Sequence, residues 1–169
     1  MATFERVVSA VANGLAVAGL TLLLIMATFT MLDGLLRAFA NYPLDFVREI
    51  GDLIAAISGA ACLPIALLRE TNIVLKSLGK VLPALLARGV DLVAALVVEV
   101  VMIGMAWQFW LYGVKALRAG EVTWMLNLPR APFWFVVDGI LCFAVLAQAV
   151  VVLRRFRGAP EETGPEFTA

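Results

Sequence analysis

Four long apolar stretches divide this chain, and the polar residues gather between them. The first charge-free run extends from Val7 to Leu32. A helix needs about 20 predominantly apolar residues to cross a hydrocarbon layer about 30 Å thick, and the run with its continuation predicts a first span over about residues 7–36. The second run, Leu53–Leu68, is too short until the segment starting at Pro43 is added. Proline suits a first helical turn, so the second span is predicted over about 43–68, with Pro64 bending it. The third span covers about 84–114 and contains Glu99; the fourth covers about 133–153 and contains Asp138. Between spans two and three, Ile73, Val74, Leu78, Val81, Leu82 and Leu85 recur at three- and four-residue spacing, with Lys76, Lys80 and Arg88 among the polar positions. That pattern predicts an amphipathic helix lying in the membrane interface over about 72–82. The expected fold is an all-α membrane protein: four transmembrane helices plus the interfacial helix, forming one domain over 1–157. Residues 158–169, polar and rich in Pro, Gly and Glu, are expected to be disordered.

Composition sharpens this picture. The chain is 63% hydrophobic, with a mean hydropathy of +0.97, a surface suited to lipid rather than water. Ala38-Phe39-Ala40 has the small-x-small form of a signal cleavage site, but the run before it is far longer than a signal's apolar region. The first span is therefore expected to be retained. Formal net charge is zero, which offers nothing to a nucleic acid. Histidine is absent, which removes imidazole metal sites, axial-histidine haem and a Ser-His-Asp triad. Cys62 and Cys142 each sit in an apolar run with no metal-ligand spacing around them. Asp33-Gly34-Leu35-Leu36-Arg37 echoes half of a lipid phosphotransferase motif whose acid-rich second half is missing. No catalytic role, metal or cofactor is expected.

Orientation follows from the basic residues flanking the spans. One side carries eight of them, including Arg6, Arg69, Lys76 and Arg154-Arg155, and the other five, including Arg37, Arg48, Lys115 and Arg130. The first side is expected to be cytoplasmic, with both termini there. Trp107, Trp110, Trp124 and Trp134 fall near the opposite side and are expected to anchor the helices in the headgroup layer.

Charge concentrates at the start of span two. On a helix, Asp45, Arg48, Glu49 and Asp52 share one face. Arg48, Asp52, Ala55, Gly59, Cys62 and Ala66 continue it as a stripe, small below the charges. Helices in lipid gain nothing from hydrophobicity toward one another; they associate by close approach at small residues and by polar contacts. The stripe is thus a candidate interface, with a partner or with the chain's own helices, and Phe46 fits beside it. Glu99 and Asp138 are the intramembrane acids. An ionised acid at the bilayer centre costs about 2.5–3.5 kcal/mol on insertion scales. Glu99 is therefore a protonated or hydrogen-bonded acid buried against another helix, an acid that a long, tilted span brings near a headgroup layer, or the coupling carboxylate of a stand-alone dimeric proton-coupled transporter. Asn13 and Gln148 are candidates for single interhelical hydrogen bonds.

The segment FANYPLDFVREIGDLIAAISGAACLPIALLRETNIVLKSLGKVLP resembles the second-span region of the small membrane subunit, DctQ-like, of tripartite ATP-independent periplasmic transporters. Pro43, Phe46, Glu49, Gly59-Ala60-Ala61, Ile73 and Leu82-Pro83 carry the resemblance, with Leu128-Pro129 and Phe133-Trp134 before the last span. Phe46 replaces the usual tryptophan, Asn72 a common histidine, and Lys76 falls near the usual aspartate. The resemblance implies a bacterial inner-membrane subunit without an ion or substrate site of its own. Its partners would be a large membrane transport subunit, DctM-like, and a periplasmic solute-binding protein. The solute, often an organic acid, would be driven by a sodium gradient, and the small subunit would support and orient the large one.

Overall fold

The computed structural model describes residues 2–42, 44–69, 84–124 and 126–156. The expected interfacial helix at about 72–82 and the tail at 158–169 lie outside them. The described residues form four helices: α1 (Ala2–Ala40), α2 (Asp45–Leu68), α3 (Ala84–Ala119) and α4 (Ala131–Phe156). All four are long and apolar enough to cross a membrane.

Two of the helices end against a residue in the left-handed region. α1 ends at Asn41, whose φ of 51° lies in the left-handed region that asparagine tolerates. α3 ends at Gly120, φ 60°. There Gly120 N–H donates to the Leu117 carbonyl at 3.3 Å and Glu121 N–H to the Ala116 carbonyl at 3.1 Å. This paired closure satisfies two carbonyls that the helix end would otherwise orphan. Pro64 lies inside α2 and is fully buried. On α1, Thr21, Thr28 and Thr30 turn their hydroxyls back to the carbonyls of Val17, Leu24 and Met26 at 2.8–2.9 Å. That satisfies polar groups on an exposed apolar helix without a partner from outside.

The helices pack in the spatial order α1, α2, α4, α3, with α1 also touching α4. Half of α4's most apolar window is buried (50%), against 11% for α1 and α3, so α4 is the interior helix and those two are the flanks. The core joins Ala60 and Ala61 of α2, Met102 of α3, and Val137, Ile140, Leu141 and Ala144 of α4. Alanines at these contacts let the backbones approach, which is what drives association in lipid. The tightest approach is between α1 and α2. A Cβ built on Gly19 would lie 2.8 Å from the Ala61 Cβ and 3.0 Å from the Ser58 carbonyl oxygen. Across α3 and α4, Gly113 receives the Phe135 ring, and Trp134 packs on Phe109 and Tyr112 with centroids 5.8 and 5.0 Å away.

Polar contacts tie both ends. Gln148, buried in α4, donates Nε2–H to the Ala95 carbonyl of α3 at 3.2 Å. At one end of the bundle Arg155 donates to the Asp91 carbonyl at 2.6 Å and Arg154 pairs with Glu5 at 3.2 Å. At the other end the start of α2 and the α3–α4 connection are joined through Glu49 and Leu126.

Candidate functional site

The charged start of α2 is built by four interactions. Leu44, the residue preceding α2, has no side-chain cap of its own. Its N–H donates instead to Asp33 Oδ1 on α1 at 2.6 Å. The other Asp33 oxygen accepts from Arg37 one turn on, at 3.1 Å. A carboxylate near a helix N-terminus is favoured by the unpaired N–H groups and the dipole there, and here α1 supplies it to α2. Glu49 Oε2 accepts the Leu126 N–H at 3.0 Å, from the α3–α4 connection 77 positions away in sequence. Phe46 meets Phe29 of α1 edge-on at 6.2 Å. Of these participants, Phe46 and Glu49 are expected from the sequence; Asp33, noted there only for an incomplete motif, is missed, as are Phe29 and Leu126. The signal for Asp33 is indirect: a helix preceded by Leu44, which has no capping side chain, needs an acceptor from elsewhere.

The stripe along α2 faces out of the bundle. Arg48, Asp52, Ala55, Gly59 and Ala66 are exposed and Cys62 is half-buried. A Cβ on Gly59 would meet nothing within 4 Å. The residues of α2 that pack inward are others: Val47, Leu53, Ser58, Ala60, Ala61 and Pro64. Asp45 is the first residue of α2.

The two intramembrane acids lie on different helices. Glu99 is half-buried on α3, with its Oε2 buried and without a hydrogen-bond partner. Asp138 is buried on α4, and its Oδ1 is likewise unpartnered. No group of three or more acids and cysteines placed to hold a metal occurs among the described residues. The tryptophans divide. Trp107, Trp110 and Trp124 are exposed, whereas Trp134 is half-buried among aromatic neighbours. The connection carrying Trp124 is more ordered than the sequence suggests: Val122 and Pro129 form an antiparallel bridge.

The arrangement is one of contacts between helices and their connections. It offers an outward face on α2, small along its length and charged at one end. The family model for the DctQ component of tripartite ATP-independent periplasmic transporters matches residues 26–158. The match takes in the end of α1 from residue 26, the capped turn, all of α2 and both later helices. No curated protein and no solved structure matches the chain. A match over most of the chain, on a fold of four helices able to span a membrane, makes it a member of the DctQ-component family of tripartite ATP-independent periplasmic transporters.

Proposed function

We propose that the chain is the small accessory subunit that holds and orients a large, DctM-like transport subunit in the bacterial inner membrane. The imported solute is an organic acid delivered by a periplasmic solute-binding protein, and a sodium gradient drives its uptake. The chain itself performs no chemistry; residues 1–157 act as one membrane domain, with both termini cytoplasmic and 158–169 as a polar tail.

One observation carries this reading. α2 packs between α1 and α4, yet its small-residue face at Ala55, Gly59 and Ala66 is exposed. Small residues on a membrane helix are useful where another backbone comes close, and the chain's own helices leave Gly59 open. A transmembrane helix of the large subunit fits there, with Arg48 and Asp52 beside it at one end.

Gly59→Leu tests the docking directly. Because nothing lies within 4 Å, the variant should keep the wild-type melting temperature in mild detergent. It should also lose most co-purification with the co-expressed large subunit. Undiminished co-purification would place the interface elsewhere. Solute uptake by vesicles holding this chain alone, abolished by Glu99→Gln, would replace the accessory role with independent transport.

A further inference from the structure

The connection between α3 and α4 is held more firmly than a linker requires. Thr123 N–H donates to the Leu128 carbonyl at 2.9 Å, and Arg130 N–H to the Glu121 carbonyl at 3.0 Å. Leu128 N–H returns to the Thr123 hydroxyl at 3.1 Å. Asn127, at φ 50°, takes the left-handed position in the turn. Glu49 then grips the connection from α2 through the Leu126 N–H. The result is a braced hairpin at one end of the bundle.

Its two faces differ. Thr123 is 1% exposed. Neighbours alternate in extended backbone, and Val122 and Trp124, on either side of Thr123, are 46% and 94% exposed. Leu126 is 42% exposed. A braced scaffold that presents an indole and two aliphatic side chains leaves apolar area that is costly to hold in water.

The surroundings indicate what covers this face. The outward side of α3 shows Trp107, Trp110, Leu111 and Leu117, an apolar surface that leads into Val122 and Trp124. Phe39 and Tyr42, also exposed, stand at the same end of the bundle. Lys115 and Arg118 are exposed in the last turns of α3. Amphipathic rings mixed with long cations, continuing an apolar helix face, match the boundary between acyl chains and headgroups.

We propose that the connection between α3 and α4, through Glu121–Trp124 and Leu126–Arg130, is a phospholipid-binding anchor, with Trp124, Val122 and Leu126 seated in the headgroup layer and Glu49 the positioning residue that braces it. The indole ring lies against the glycerol and upper acyl region, and its N–H donates to lipid ester or phosphate oxygens. The anchor sets the depth of α2's charged end in the membrane. It does not depend on which solute is carried or on how the large subunit docks.

The full chain in phosphatidylcholine nanodiscs provides the test. Subtracting the emission of Trp124→Phe from that of the wild type isolates Trp124. Its emission should be quenched several-fold more by lipids bearing a nitroxide near the headgroup than by iodide in the buffer. Glu49→Leu, which removes the acceptor, should shift quenching toward iodide, and Glu49→Gln, which keeps a carbonyl acceptor, should behave as wild type. Predominant iodide quenching in the wild type would put the hairpin in water. Shielding from both quenchers would show protein covering it. Either result overturns the anchor, and Glu49→Leu matching the wild type would overturn the bracing role. Should Glu49→Leu fail to fold, the wild-type quenching pattern still decides the lipid seat.

Discussion

Asp33 shows how much one side chain can organise at a membrane helix end. Its two oxygens serve the Leu44 N–H and the Arg37 guanidinium at once. The side chain is 16% exposed; its bond to Leu44 is partly shielded from water, while the one to Arg37 is exposed. Losing a capping acceptor typically costs about 1 kcal/mol. Asp33→Ala should therefore lower stability by about that amount in detergent unfolding, while Asp33→Asn, retaining an acceptor oxygen, should lose less. Equal losses for the two would mean that the carboxylate's charge, rather than the acceptor, is what α2 needs. Gln148 works on the same scale. Its bond to the Ala95 carbonyl is of the kind that averages about 0.6 kcal/mol between membrane helices. A polar side chain in an apolar run suggests such a bond, but only packing selects the acceptor.

The helices themselves were legible from hydropathy, because length and apolarity together decide whether a segment can span lipid. Their stops were less so: the expected spans end at about 36 and 114, whereas α1 and α3 run on to Ala40 and Ala119. Gly120 belongs to a loop sequence in which a glycine C-cap is expected, while Asn41 gives a weaker cue. Which face each helix buries was not legible. The hydrophobic effect that marks buried faces in water does not operate between helices in lipid, so leucines crowd every side of α1 and α3. Gly19 and Gly59 look alike in the sequence, yet one lies under Ala61 and the other meets nothing. Gly19→Ala should thus cost about 1–3 kcal/mol of stability, the usual range for overpacking. Gly14→Ala, on the same helix with open space around it, should cost nothing and gain some helix propensity. Comparable melting temperatures for the two would contradict the α1–α2 crossing.

At the scale of the whole molecule, two sets of contacts define the ends. Glu49–Leu126 marks one and Arg154–Glu5 with Arg155–Asp91 the other. Both chain ends of the four-helix unit fall on the second side, where Arg69 also lies at the end of α2. With the basic residues weighted to that side, reporters fused after Phe156 should read as cytoplasmic: a fluorescent protein bright, alkaline phosphatase inactive. An active phosphatase would invert the whole assignment and place Trp124 on the cytoplasmic face.

Four membrane-spanning helices, the absence of histidine chemistry, and the likeness to a transporter's small subunit all follow from the order of residues. They depend on hydropathy, composition and local motif, each a property of neighbours in sequence. The order of the helices, the outward turn of the α2 stripe, the cap lent by Asp33 and the brace from Glu49 are decided in three dimensions. Each joins groups that sequence separates, and in lipid their selection depends on small differences in how closely backbones can approach and on where an unsatisfied donor finds an acceptor.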